Sequence, residues 1–327
     1  MSSIHLKFNY KKSCLLTNSF FVCYNIYGDS MIEYIIGRNS SNVRADRFLL
    51  KATTAPSSLI YKAFRKKDVK INGKWIKEDY LLCEGDVLRI YIKEEFQKEK
   101  EVTSCKLTAP IIYEDEHIII FDKPAALPCQ PDANHKSGTL SDMLKSYLAE
   151  KGEYNPKEES SFSPALCNRL DTNTCGLVIG AKNAEALRDM NEQIKLRNVY
   201  KYYLCRLENT PNEKSAFVKA HIIKEESQNK SRISDSGKEI SMEYKVIEES
   251  CDTSLCEVLL HTGRSHQIRA YFSSIGCPLV GDKKYGAKTG GGQALCAYRI
   301  RFGFPDEYEG VLSYLKDSQI KLEGIDI

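Results

Sequence analysis

Residues 168–179 (Asn-Arg-Leu-Asp-Thr-Asn-Thr-Cys-Gly-Leu-Val-Ile) restrict this chain more than any other stretch. Leu177, Val178 and Ile179 form an uninterrupted apolar run of the kind that becomes a fully buried strand. Ahead of them, Thr174, Cys175 and Gly176 are small enough for another group to approach the backbone closely. Arg169 and Asp171 stand two residues apart at the head of the unit. Asp171 therefore falls in a loop held by a rigid strand, where catalytic groups tend to lie. Read alone, the same pair also fits a structural ion pair beside a strand.

At 327 residues, the chain has the length of about two domains and can bury a full core. The net charge is only +3, so any nucleic-acid surface must be local. None of the 12 cysteines forms a C-x-x-C pair, and zinc-site spacing is missing. Several sit in apolar company (Val22-Cys23, Leu82-Cys83, Leu204-Cys205), where cysteine behaves as a small buried hydrophobe. A reducing, cytoplasmic setting is expected, with no bound metal. No run approaches the roughly 18 apolar residues of a membrane span, so no membrane association is expected.

Residues 1–30 fit poorly with the rest of the chain. Lys11 and Lys12 precede Leu15-Leu16 and the run 19–24, but polar residues interrupt it and no cleavage pattern stands out. Met31 reads as a natural start, and residues 1–30 are expected to be an extension outside any domain, disordered or loosely attached. Residues 31–93 are assigned to a small N-terminal domain. Within it, residues 44–93 hold twelve Lys and Arg against six Asp and Glu, a local charge of +6. Ser57 or Ser58 can cap a helix on which Lys62, Arg65 and Lys66 share one stripe. Val69-Lys70-Ile71 runs into the turn Asn72-Gly73, a strong hairpin signal, and Gly85-Asp86 precedes an alternating strand at 87–92. A basic helix beside a small sheet suits phosphate backbones, though the same charges also fit a solvated face.

Charged residues 94–106 read as a linker, and 107–327 as the second domain. It opens with a strand at 111–113, an acidic turn and a buried strand ending at Lys123-Pro124. Leu140, Met143, Leu144, Tyr147 and Leu148 give helical periodicity, with Ser137 or Thr139 near its start. Residues 150–163 form a polar insertion or loop. Asn183 starts a helix with Leu187, Met190 and Ile194 on one face. In the strand 199–205, alternation puts Lys201 and Tyr203 on one side and Tyr202 towards the core. Residues 240–248 and 254–261 read as paired strands. After them Gly263 makes a turn, Ser265 is a plausible cap, and His266-Gln267-Ile268-Arg269 begins a helix from which Arg269 could point back towards the site. Gly290-Gly291-Gly292 lacks the Lys-Ser/Thr of a phosphate-binding loop and reads as flexible.

Four separated stretches now match one pattern in order. They are Tyr113-x-Asp115 through Lys123-Pro124; Arg169-Leu170-Asp171-x-x-Thr174-x-Gly176-Leu177; Lys201-x-Tyr203; and Thr262-Gly263-Arg264-x-His266-Gln267-Ile268-Arg269 through Gly281-Asp282-x-x-Tyr285-Gly286. Together they resemble the RluA-type RNA pseudouridine synthases. The N-terminal unit, through Arg44-x-Asp46-Arg47-Phe48-Leu49, the basic helix, Val69-Lys70-Ile71-Asn72-Gly73 and Gly85-Asp86, resembles the small RNA-binding domain named after ribosomal protein S-four.

The resemblance implies an α+β fold. Its catalytic domain is a mixed, mostly antiparallel sheet with flanking helices, joined to a small N-terminal α+β RNA-binding domain. It implies isomerisation of uridine to pseudouridine without a cofactor, most plausibly in large-subunit rRNA, by a monomer. Transfer RNA is the alternative target, and a non-catalytic RNA-binding ribosome-assembly factor the alternative role. By the same resemblance, Asp171, Tyr203 and Arg269 are catalytic, while Arg169, Arg264, Lys201, Lys62, Arg65 and Lys66 bind RNA. Asn168 stands where the family commonly has His, and Cys175 where it commonly has Ser.

Overall fold

The computed structural model describes residues 22–24, 30–98, 104–133, 135–159, 161–225, 230–325 and 327. They divide into two compact units. One lies within Met1–Val102 together with Tyr154–Ser163; the other comprises Thr103–Glu153 and Pro164–Ile327.

In the first unit, helices α1 (Ala45–Ala52) and α2 (Ser57–Arg65) accompany an antiparallel sheet. Its strands are β1 (Val22–Tyr24), β2 (Ser30–Ile35), β3 (Val69–Ile71), β4 (Lys74–Trp75) and β5 (Val87–Tyr91), in the order β1-β2-β5-β3-β4. Of residues 1–30, expected to be an extension outside any domain, Val22–Tyr24 and Ser30 thus take part in strands; residues 1–21 and 25–29 lie outside the described residues. The Asn72-Gly73 turn has positive φ at both positions (50° and 85°), which two-residue hairpins of this kind require. Helix α2 is not capped by a serine: Pro56 occupies the cap position, its carbonyl accepts from Leu59 and Ile60, and Ser57 is already helical. Tyr34, Phe48, Leu49, Ile60, Leu88 and Ile90 fill the core, while Lys62, Arg65 and Lys66 are exposed.

The polar stretch 154–163, read as a loop of the second domain, groups with this first unit. Its Tyr154 and Phe162 are buried, Asn39 Nδ2 donates to Glu159 Oε1, and the Ser40 and Ser161 hydroxyls lie 2.8 Å apart.

The second unit is built on one large sheet. Its strands are β6 (Ile111–Glu114), β7 (Ile118–Lys123), β8 (Ala165–Leu166), β9 (Cys175–Ala181), β10 (Val199–Glu208), β11 (Ser215–Glu225), β12 (Lys230–Ser234), β13 (Lys238–Glu249), β14 (Thr253–Leu260), β15 (Leu295–Phe302) and β16 (Gln319–Lys321). The order along the sheet is β12-β11-β13-β14-β10-β15-β9-β7-β6, with β16 on β15 and β8 on β9. Every described pairing is antiparallel except β15 with β9, so the α+β class with a mixed, mostly antiparallel sheet holds.

Central β9 is buried from Gly176 to Ala181, as its unbroken apolar run requires. Helices α3 (Leu140–Glu150), α4 (Ala184–Lys195) and α5 (Gln267–Ser274) complete the unit. Thr139 caps α3 in a reciprocal capping box with Asp142, and the Asn183 side chain caps α4 through Ala186 N. Met190 of α4 is fully buried in the cluster that includes Ile118, Ile120, Leu177 and Ile179.

Candidate active site

Asp171 sits in the turn that leads into β9, and the structure fixes this turn from several sides. The Thr174 amide donates to Asp171 O, and the Thr174 hydroxyl accepts from Gln293 Nε2 at 2.9 Å. Lys123, at the end of β7, is wholly buried. Its ammonium donates to the carbonyls of Pro124, Leu127 and Thr172 at 2.8–3.0 Å, which ties the turn after β7 to the residue following Asp171. Burial pushes the Lys123 pKa down, against the pull of nearby thiols and Asp171. Cys129 grips the residue before Asp171: its thiol donates to Leu170 O at 3.5 Å and accepts from Leu170 N at 3.3 Å. Nothing in the sequence signals this contact. Of the cysteines expected to be buried hydrophobes, Cys205 is buried but Cys83 is exposed, because apolar neighbours in sequence do not fix which way a side chain points.

The close approach to the backbone expected at residues 174–176 is found at Gly176. A Cβ on Gly176, whose φ is +110°, would lie 2.3 Å from the carbonyl oxygen of Ala297 on β15. What approaches this backbone is the parallel neighbour strand. Cys175 and Cys296 are register partners across the same pairing, and a hydrogen bond from the Cys296 thiol lowers the Cys175 pKa.

Asn168 also acquires a role. Its Oδ1 accepts from Ile179 N at 2.8 Å and its Nδ2 donates to Leu177 O at 3.4 Å. The amide thus extends the β8–β9 pairing past the end of β8, work for which the planar donor–acceptor fork of asparagine is well suited.

Opposite Asp171 stands Arg269, in the first turn of α5. One guanidinium nitrogen, Nη1, donates to Asp171 Oδ2 at 3.0 Å. Nε and Nη2 donate in parallel to the two oxygens of Asp282, at 2.7 and 2.9 Å. Arg269 and Asp282 are buried, whereas the Asp171 side chain is 29% exposed. Burial works against the arginine charge, yet Asp282 and Asp171 outweigh it and raise its pKa. Asp282 orients the guanidinium, and the guanidinium aims Asp171, whose Oδ1 has no hydrogen-bond partner among the described residues. Asp282 lay inside a matched motif but was not singled out, because nothing local in the sequence pairs it with Arg269.

Ser265 does not cap helix α5, which starts at Gln267 rather than His266. Its cap is His266, in the left-handed region (φ 55°, ψ 24°), with no side-chain cap bond. The preceding turn is held by buried Gln267, whose Oε1 accepts from the Thr262 hydroxyl and Arg264 N and whose Nε2 donates to Ser241 O. The Arg264 side chain is left exposed.

Tyr203 on β10 is 7% exposed. Burial first, and the Asp171 charge second, raise its pKa, so the phenol is neutral at physiological pH. Tyr202, expected in the core, is only half-buried, with the Arg299 guanidinium 3.8 Å above its ring; the more deeply buried ring is Tyr203. Lys201 is half-buried, its pKa lowered by burial, and its Nζ lies 3.5 Å from Val199 O on its own strand. Arg169 is exposed, 3.4 Å from Gln130 Oε1. The structure therefore brings Asp171 and Arg269 together, with Tyr203 near enough to feel the Asp171 charge. Lys62, Arg65 and Lys66 belong to the other unit.

A carboxylate aimed by a buried arginine, with a neutral tyrosine nearby, thus stands on a mixed, mostly antiparallel sheet. Residues 117–274 match the family described as RNA pseudouridylate synthase. The chain is 30% identical over 259 residues to ribosomal large subunit pseudouridine synthase C of Vibrio vulnificus, covering 77% of this chain and 79% of that protein. It is 32% identical over 289 residues to an uncharacterized RNA pseudouridine synthase of Mycoplasma capricolum, covering 83% and 92%. The solved structure of human RNA pseudouridylate synthase domain containing 1 shares the fold at a TM-score of 0.50 and 21% identity, over 66% of this chain and 90% of that one. The chain belongs to the RluA-type RNA pseudouridine synthases.

Proposed function

We propose that this enzyme isomerises uridine in large-subunit rRNA and that Asp171 is the carboxylate on which the reaction depends. The supporting observation is the Asp282–Arg269–Asp171 chain, in which one buried cation orients a carboxylate and leaves its second oxygen free. The reaction breaks the bond between ribose C1′ and uracil N1 and forms one from C1′ to uracil C5. The C5 proton leaves and N1 gains one. No atom is added and no redox step occurs, so the balance calls for no cofactor.

A carboxylate serving as nucleophile or base must be aimed, and the planar Arg269 guanidinium does this through Oδ2. In this reading Tyr203 stacks on the target base, and its neutral phenol is available for proton traffic at C5. Exposed Arg169 and Arg264 contact the RNA around the extruded nucleotide. Taking a base out of its stack costs a few kcal/mol, which stacking and phosphate contacts offset. Lys62, Arg65 and Lys66 contribute phosphate contacts from the N-terminal unit. Lys201 is a further RNA-binding residue in this reading. The choice of target follows relatives named ribosomal large subunit pseudouridine synthase C.

The test is Asp171→Asn. Purified variant on transcribed large-subunit rRNA is expected to make no pseudouridine while binding RNA within about tenfold of wild type. Retained activity would overturn the role of Asp171. Mapping pseudouridines with and without the gene tests the target, and lost sites confined to transfer RNA would move it there.

A further inference from the structure

Beside the arginine, a second side chain reaches Asp171. His266 Nε2 lies 3.7 Å from Asp171 Oδ2, and its other ring nitrogen, Nδ1, lies 2.9 Å from the Tyr285 hydroxyl oxygen. The Tyr285 oxygen accepts from the Ser231 amide at 2.8 Å, and its own O–H can donate to Nδ1. With Nδ1 accepting, the ring proton of the neutral imidazole is on Nε2, facing Asp171.

The surroundings favour this arrangement. Tyr285 is buried, and its ring meets that of His266 edge-on, with centroids 5.6 Å apart. The imidazole is 11% exposed. Burial lowers the His266 pKa, and the Arg269 and Lys284 cations act in the same direction against Asp171 and Asp282. The backbone is also committed: His266 holds a left-handed conformation that residues such as Asn, Asp and His tolerate best.

We propose that His266, held as the Nε2–H tautomer by the Ser231–Tyr285 relay, is a positioning residue that steadies Asp171 Oδ2 alongside Arg269. The gap of 3.7 Å is longer than a hydrogen bond, as such contacts often are before substrate closes the site. Two donors on Oδ2 then leave Oδ1 as the reacting oxygen. Protonating His266 would put a second donor on Nδ1, opposite the Tyr285 O–H, and break the relay.

The inference rests on the role of Asp171 proposed above, and its first readout does not depend on activity. In protein carrying 15N-histidine, with His266 assigned through His266→Gln, long-range 1H–15N spectra at neutral pH are expected to show the Nε2–H tautomer. They should also show protonation below the ordinary histidine range. In Tyr285→Phe the tautomers should mix. A wild-type Nδ1–H tautomer, or ordinary titration, overturns the proposal.

The second readout is single-turnover rate at saturating RNA. His266→Ala should lose about 10- to 100-fold with RNA affinity within about threefold, and His266→Gln, which restores a donor, should recover most of it. The acid limb that His266 gives the wild-type profile should vanish in His266→Gln. Unchanged rate and unchanged pH profile in both variants overturn the proposal. Inactive wild type would instead sink the functional reading, leaving the tautomer to judge the relay.

Discussion

Arg269 shares one positive charge between two carboxylates, and its fork geometry makes that possible: three nitrogens serve three oxygens. Lysine has the charge but not the plane. Arg269→Lys is expected to keep one partner and let the other turn, lowering the single-turnover rate on the order of 100-fold with little change in RNA affinity. A separate residue-scale expectation concerns Asn168. Asn168→Ala removes both bonds to β9 and should cost about 1–2 kcal/mol in urea unfolding, because Ile179 N and Leu177 O lose their partners. Asp171 and Arg269 were legible in the sequence because each lies in a short motif matching a known family. Asp282, Lys123 and Cys129 were not singled out, since their partners lie 13, 49 and 41 residues away and no periodicity links them.

Strand β9 decides where the site lies: it pairs with β7, β8 and β15, and the turn carrying Asp171 opens directly onto it. Its buried run was plain from composition alone. That its neighbour is a parallel strand from more than a hundred residues downstream was not, and so the group that approaches the small residues before it could not be named. The start of α5 was misplaced for a related reason, because a left-handed histidine leaves no trace in a hydrophobic pattern.

At the far edge of the sheet, β6 is anchored by Glu114, which accepts from Tyr147, Lys151 and Lys182. Burial alone would raise its pKa, but these three donors outweigh burial and bring it to about 2, below its ordinary 4.5. A lowered carboxylate value means stability held above the ordinary value and lost as pH falls towards the folded one. Glu114→Gln should therefore cost on the order of 1 kcal/mol near neutrality. Urea unfolding should show that gap closing between about pH 5 and pH 2, and a constant gap would contradict the assignment.

Across the whole molecule, charge is unevenly divided: +3 for the chain against +6 for residues 44–93 alone. The modest total leaves any long-range attraction for RNA to the N-terminal unit, where Lys62 and Arg65 stand exposed on α2 and Lys66 at its C-cap. Each phosphate neutralised releases condensed counterions, so the number of contacts can be read from the salt dependence of binding. The triple variant Lys62→Ala/Arg65→Ala/Lys66→Ala suits this test better than deleting residues 1–93, because deletion would strip Tyr154 and Phe162 of the unit they are buried with. The three side chains are solvent-facing, so the fold should survive. If all three contact phosphates of a single-stranded region, the slope of log affinity against log salt should become shallower by about 2. Binding should weaken most at low salt, while the single-turnover rate at saturating RNA stays within about twofold, since no reacting group is touched. An unchanged slope would make these cations a solvated face. A collapsed rate at saturation would mean that the N-terminal unit acts on the chemistry as well as on binding.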